Sequence, residues 1–259
     1  MSVPSVTTAQ MVEVDRLMIE EYGITLVRMM ENAGRNLARL AVDRFHGEAK
    51  SGVLSGVLSE VLSEVEGRKR GSKSVLVMAG TGGNGGGAMV CARRLSAWGW
   101  NVTVILAKEP DEYTGVPGQQ LAILRRMNVN ILPVAQLRHV APPGLIIDGL
   151  VGYSLSGAPR AGVAECISWA NRSGAPVLAL DVPSGLDAAT GKPYDPAVRA
   201  TATLTLGLPK TGLFAPTAKD YVGELYLGDI SIPPEVYDRI GLEGDFAAMF
   251  ADGEVVRIA

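Results

Sequence analysis

The sequence predicts an α/β protein: a doubly wound, mostly parallel sheet with helices on both faces, preceded by two N-terminal helices. Three observations predict it. After Ser72, short runs rich in aliphatic and β-branched residues recur seven times. Helical patterns separate several of these runs, and strands joined through helices are parallel strands with right-handed crossovers. Ahead of them, Thr7 to Phe45 carries helical periodicity alone.

In the first helix Met11, Val14, Leu17 and Met18 recur at spacings of three and four, and Tyr22-Gly23 breaks the run. Thr7 or Thr8 is placed to cap it. The second helix carries Leu26, Met29, Met30, Ala33, Leu37, Leu40 and Ala41 on one stripe. Residues Ser51 to Glu64 then form a near-tandem tetrad, SGVL-SGVL-SEVL-SE. A four-residue period drifts by about 40° per repeat against 3.6 residues per turn. The segment reads either as a partner-binding or oligomerising helix or as an expanded insertion forming a loose helix or staying mobile. Arg68-Lys69-Arg70 reads as a solvated linker, so 51–72 is an insertion within one domain spanning 1–259.

The strand-like runs are Val75–Ala79, Val102–Ala107, Ile131–Val134, Leu145–Asp148, Val177–Asp181, Ala202–Leu206 and Glu224–Leu227. Helical patterns cover Gly86–Trp98, Gln119–Met127 and Val163–Asn171. In such sheets ligands sit outside the carboxyl ends of the strands, near the point where strand order reverses.

Composition narrows the chemistry. The 259 residues include 31 glycines but only two histidines, His46 and His139, and two cysteines, Cys91 and Cys166. Two histidines leave little room for a Ser-His-Asp triad or a multi-histidine metal site. Distant cysteines without C-x-x-C spacing argue against a disulfide scaffold or zinc knuckle, and each is expected to pack as a small hydrophobe. A formal net charge of −3 offers no basic excess for a nucleic-acid groove. No apolar run approaches the ~20 residues of a membrane span, and Met1 to Gln10 lacks the pattern of a secretory signal. A cytoplasmic protein, with no nucleic acid or membrane partner, is expected.

The strand ends carry the candidate chemistry. After the first strand, six of the eight residues from Gly80 to Gly87 are glycine. A loop this bare, opening a helix, lets backbone N–H groups approach a pyrophosphate. Gly80-x-Gly82-x-x-Gly85 satisfies the dinucleotide fingerprint, but the acidic ribose partner expected ~20 residues on is missing, since position 100 is Trp. After the fourth strand comes Asp148, then a donor-rich loop from Gly149 to Ala158. After the fifth comes Asp181-Val182-Pro183-Ser184-Gly185-Leu186-Asp187. Asp148 and Asp181 are expected at one edge, where they either divide acid and base roles or hold a hard cation with Asn84 and Ser184. Ser184 lacks the surroundings of a nucleophile. Lys210, after the sixth strand, reads as a phosphate ligand or a solvated surface lysine.

These loops, in this order behind two helices, resemble the NAD(P)H-hydrate epimerase family, the YjeF N-terminal domain. The resemblance spans roughly 7–235. It includes Ala9-Gln10-Met11, Asp15-Arg16, Met30-Glu31-Asn32-Ala33-Gly34, the glycine loop, Ile147-Asp148-Gly149-Leu150-Val151-Gly152, the Asp181–Asp187 stretch and Gly207-Leu208-Pro209-Lys210. It implies a Rossmann-like sheet, a homodimer, a bound potassium ion, and interconversion of the R and S hydrates of NADH and NADPH in cofactor repair. By the resemblance, Asn84, Asp148 and Ser184 hold potassium. Gly83, Asn84, Gly85, Gly86, Gly87, Gly152, Tyr153, Ser154, Leu155, Ser156, Gly157, Ala158 and Asp181 contact the hydrate. Epimerisation requires proton transfer, for which Asp181 is the first candidate and Asp148 the second. The family's loop reads G-x-G-N-N-G-G-D-G, whereas here Gly83 replaces the first Asn and Gly87 the Asp. The alternative implied is a non-catalytic nucleotide-binding or scaffold module of the same fold.

Overall fold

The computed structural model describes residues 3–46, 73–246, 248–251 and 253–259. The tetrad segment and the basic turn, 51–72, lie outside the described residues. Helix α1 (Thr8–Glu20) begins in a capping box: the Thr7 hydroxyl accepts from the Gln10 N–H and the Gln10 side chain accepts from the Thr7 N–H. Gly23, at φ +65°, turns the chain into α2 (Leu26–Phe45).

Among the described residues, eight strands form one sheet in the order β3-β2-β1-β4-β5-β6-β7-β8. They are β1 (Ser74–Ala79), β2 (Asn101–Leu106), β3 (Asn130–Pro133), β4 (Leu145–Gly149), β5 (Val177–Leu180), β6 (Ala202–Leu206), β7 (Glu224–Gly228) and β8 (Val255–Arg257). All neighbours pair in parallel except β7 and β8. The order reverses between β1 and β4, as a doubly wound sheet requires. All seven strands anticipated in the sequence are present; β8, three residues on an edge, has no counterpart among them.

The inner strands are apolar on both sides because both faces are covered. Val75, Val77 and Ala79 point into one core, shared with α1, α2, α3 (Gly83–Ala97) and α4 (Gly115–Arg126). Leu76 and Met78 point into the other, closed by Cys166, Ile167 and Ala170 of α5 (Ala161–Arg172). Cys91 and Cys166 are both free and buried, and burial pushes the Cys166 thiol up to about 12. Two boundaries differ from the sequence pattern. Helix α3 starts at Gly83, so Gly85 to Gly87 belong to its first turns instead of a loop. Strand β5 stops at Leu180, and Asp181 takes a left-handed φ of +67°.

The stretch from Met30 to Gly34 shows why α2 docks where it does. Glu31 accepts from Arg93 at 2.5 and 2.6 Å, from Arg94 at 3.2 Å, and from Gln120 at 3.3 Å, tying α2 to α3 and α4. Asn32 donates to Ser231 at 3.0 Å. At Gly34 the two helices touch: a Cβ there would stand 2.4 Å from Val90 Cβ and 2.5 Å from the Gly87 carbonyl oxygen.

Candidate active site

A cavity of about 220 Å³ opens over the carboxyl ends of β1, β4, β5 and β6, roofed by α1 and α2. Its apolar wall comes from the roof helices and the sheet, through residues such as Met11, Met29, Met30 and Leu180. Its polar end holds Asp15, Asn84, Tyr153, Asp181 and Lys210. The two leading helices are therefore a wall of the site.

Asp181 is the centre of the polar end. Its left-handed backbone, uncommon outside glycine and asparagine, follows directly on β5. Its Oδ2 accepts the Tyr153 N–H at 3.1 Å and its Oδ1 pairs with the Lys210 ammonium. Lys210 is fully buried, donates also to the Leu206 carbonyl at 3.0 Å, and lies 5.7 Å from the Tyr153 ring centre. It is therefore neither a solvated surface lysine nor, while paired to Asp181, a free phosphate ligand. The N-terminal segment holds its backbone: Val6 bridges to Lys210, donating its N–H to the Pro209 carbonyl at 2.9 Å and accepting the Thr211 N–H at 3.0 Å.

Asn84 donates from Nδ2 to the Leu180 carbonyl at 3.0 Å, which leaves Oδ1 as an acceptor without a donor among the described residues. Gly152 keeps this oxygen uncovered, for a Cβ there would stand 3.2 Å from it and 3.0 Å from Asp181 Oδ2. Gly83, Asn84, Gly152, Tyr153, Ser154 and Asp181 thus share one cavity wall.

The other anticipated residues stand elsewhere. Gly85, Gly86 and Gly87 are buried in packing: a Cβ at Gly85 would meet the Gly80 carbonyl oxygen at 1.8 Å, and those at Gly86 and Gly87 would face Met30 and Leu180. Leu155, Ser156, Gly157 and Ala158 continue past the cavity wall, with Ser156 and Ala158 exposed. Asp148, expected to face the ligand beside Asp181, lies behind the wall and is 1% exposed. It accepts the Ser184 N–H at 2.8 Å, the Ser184 hydroxyl at 2.6 Å and the Leu150 N–H at 3.2 Å. Strand alternation explains the displacement. Leu145 and Ile147 face the cavity-side core, so Asp148, like Ile146, points to the α5 side. Burial pushes its carboxyl up to about 6, against the opposing pull of those hydrogen bonds.

Asp15 and Lys210 are the wall residues whose place sequence reasoning did not find. For Asp15 a signal existed. It stands four residues after Met11 and three before Met18, so an acid lies on the inward stripe of an amphipathic helix. Its Oδ2 accepts the Tyr153 hydroxyl at 2.5 Å, and burial raises its pKa.

Asn84, on the cavity wall, and Asp148, behind it, each carry a feature that suits a hard cation. Among the described residues no three His, Cys, Asp or Glu side chains converge, so an ion here would rest on mixed oxygens. Asn84 offers a carbonyl oxygen lacking a donor, and Asp148 is a buried carboxylate with no basic side chain paired to it among the described residues. Both features fit an oxygen-liganded cation.

Sheet, switch point and cavity together define a Rossmann-like α/β protein with a cavity at the carboxyl edge of its sheet. The sequence matches the family described as YjeF-related protein N-terminus over residues 27–212, and the chain belongs to that family. It is 39% identical to the NAD(P)H-hydrate epimerase of Dehalogenimonas lykanthroporepellens, over 99% of this chain and 94% of that one. It is 34% identical to the NAD(P)H-hydrate epimerase of Truepera radiovictrix, over 92% and 94%. The bifunctional NAD(P)H-hydrate repair enzyme Nnr of Salinibacter ruber is 34% identical over 91% of this chain, which spans 42% of that protein. The crystal structure of yeast ynu0 superposes with a TM-score of 0.76 at 23% identity, covering 98% of this chain and all of that one, and so shares the fold.

Proposed function

We propose that this chain is an NAD(P)H-hydrate epimerase, an isomerase interconverting the R and S hydrates of NADH and NADPH. What carries the reading is a carboxylate, Asp181, set against an apolar wall in one cavity at the sheet edge. The near end-to-end likeness to two proteins named as such epimerases supplies the substrate.

The hydrated ring bears its hydroxyl on the carbon beside the ring nitrogen. It lies against the methionine-rich wall of α1 and α2, with that carbon toward Asp181. The first turn of α3, from Gly83 onward, has N–H groups without intrahelical partners, and these suit the pyrophosphate. Asp181 moves the proton that inversion demands. Lys210 and the Tyr153 N–H hold its two oxygens in place. Potassium is the ion proposed for Asn84, Asp148 and Ser184, where it supplies positive charge beside the cavity. The active form proposed is a homodimer in the cytoplasm. No helix among the described residues is long and apolar enough to cross a membrane.

The test is recovery of NADH from the R hydrate in the presence of a separate S-specific dehydratase. The chain is expected to accelerate recovery beyond the spontaneous rate, and Asp181→Asn to remove that acceleration. Absence of acceleration, with and without potassium, overturns the reading and leaves the non-catalytic binding module.

A further inference from the structure

Inversion at a carbon that bears a hydroxyl beside a ring nitrogen can proceed by ring opening and reclosure, or by loss of the hydroxyl from one face and return of water to the other. On the second route both faces need a proton-transfer group. A single carboxylate reaches one face. The second face needs a proton donor of its own, and Asp148, behind the wall, does not line the cavity.

The cavity does hold a second carboxyl. Asp15 projects from α1, in the roof, whereas Asp181 rises from the sheet edge. Asp15 Oδ2 accepts the Tyr153 hydroxyl at 2.5 Å, and its Oδ1 has no hydrogen-bond partner among the described residues. Tyr153 also donates its backbone N–H to Asp181 at 3.1 Å, so one residue touches both carboxyls. Their environments differ. Asp181 is paired with a buried ammonium, whereas Asp15 has the phenol. Burial raises the Asp15 pKa and the charge of Asp181 adds to this, opposed by the Tyr153 hydrogen bond and the charge of Lys210. Two carboxyls in different environments within one site are the usual basis for dividing acid and base roles.

We propose that Asp15 is the second catalytic carboxyl of the epimerase, the proton donor facing Asp181 across the cavity, with Tyr153 positioning both. This rests on the epimerase reading. Protonated Asp15 gives its proton to the departing hydroxyl, which leaves as water. As the carbon–oxygen bond breaks, the ring-nitrogen lone pair forms a C=N bond, giving a cationic ring. Water then adds to the opposite face, the C=N electron pair returns to nitrogen, and the surplus proton passes to the Asp181 carboxylate. A weak base suffices there because the carbon attacked is cationic. The net result is one inverted centre and one proton moved from Asp15 to Asp181. That leaves the site set for the reverse epimer.

The experiment compares wild type with Asp15→Asn, Asp15→Glu, Asp15→Ala and Tyr153→Phe in the coupled NADH recovery assay, each variant checked by thermal unfolding. Asp15→Asn is expected to lower kcat by about 100-fold or more, with KM changed by less than about threefold. Asp15→Glu should retain more activity than Asp15→Asn, and formate should partly restore Asp15→Ala. Tyr153→Phe, which removes only the hydroxyl, should lower kcat by roughly tenfold. If Asp15→Asn does not fold, Tyr153→Phe decides alone, and an unchanged kcat there overturns the assignment. A folded Asp15→Asn with wild-type kcat overturns it, as does loss of activity that neither glutamate nor formate restores. An inactive wild type overturns the epimerase reading and this assignment with it; an active wild type with a fully active Asp15→Asn overturns the assignment alone.

Discussion

Lys210 and Asp181 form an ion pair in which the two side chains are only 1% and 5% exposed. Both groups have left water, so each depends on the other. Removing one partner of such a pair strands a buried charge and costs about 3–5 kcal/mol. Lys210→Met is therefore expected to lower the unfolding free energy by an amount of that order in urea titration. The double variant Lys210→Met with Asp181→Asn should recover part of the loss, because no charge then remains buried alone. Asparagine also tolerates the left-handed backbone at this position. If the two single losses simply add, the pair is not coupled in the way described.

The contact of α2 with α3 predicts that two neighbouring glycines respond differently to alanine. At Gly34 the new methyl would press on Val90 Cβ and on a backbone carbonyl, at 2.4 and 2.5 Å, neither of which swings aside. At Gly87 the tight contact is Leu180 Cδ2 at 2.9 Å, the end of a flexible side chain. Overpacking a rigid contact costs typically 1–3 kcal/mol and occasionally more, so Gly34→Ala should be markedly destabilised. Gly87→Ala should cost less than about 1 kcal/mol, helped by the helix preference for alanine over glycine. Thermal unfolding of the two variants side by side checks the order; equal losses would refute it.

How much of this was legible in the sequence depends on which force decides each residue. The inner strands show because two buried faces demand unbroken apolar runs, so β1, β4 and β5 stand out, whereas β8, three residues on an edge, does not. The strand-end loops show because close backbone approaches demand glycine there: a Cβ at Gly80 would stand 1.9 Å from the Leu150 carbonyl oxygen, and one at Gly85 1.8 Å from that of Gly80. Asp148 and Asp181 look alike in the sequence, yet alternation turns Asp148 toward α5 and a left-handed residue turns Asp181 into the cavity. The first was readable from the pleat; the second is a local backbone choice without a pattern. Lys210 was not readable, since lysine ordinarily keeps its ammonium in water. In the fold its ammonium leaves water for Asp181 and the Leu206 carbonyl, and its backbone bridges to Val6 from far away in the chain.

Glu224, in β7, predicts a pH-dependent link between sheet and roof. Its carboxyl accepts Arg44 Nε at 2.7 Å and a terminal guanidinium nitrogen at 3.0 Å. The Arg44 guanidinium holds it down at about 2. A lowered value means that the contribution is present above the ordinary carboxylate range and is lost as pH falls through about 2. Because the Arg44 side chain is 39% exposed, solvent screening limits the worth of the pair to about 1 kcal/mol or less. Glu224→Gln should therefore be slightly less stable than wild type at pH 7, and the difference should shrink below about pH 4. A difference that is constant from pH 7 to pH 2 would rule out the ion pair as its cause.

Asp148 predicts how potassium should act on stability. Its folded value, about 6, lies above that of an exposed aspartate. Its favourable contribution is therefore complete below about pH 4 and lost as pH rises through about 6. Above that, the buried carboxylate subtracts on the order of 3 kcal/mol unless a cation accompanies it. Under the potassium proposal, an ion held by Asn84, Asp148 and Ser184 would compete with the proton for the same carboxylate, so it should bind well at pH 8 and poorly at pH 5. Replacing tetramethylammonium chloride by potassium chloride at equal ionic strength should thus raise Tm at pH 8, by mass action on the folded state. The gain should be much smaller at pH 5. Asp148→Asn should lose the potassium response while becoming less sensitive to pH between about pH 4 and about pH 6. A rise in Tm that is the same at both pH values, or that survives in Asp148→Asn, would show that potassium acts at some place other than Asp148.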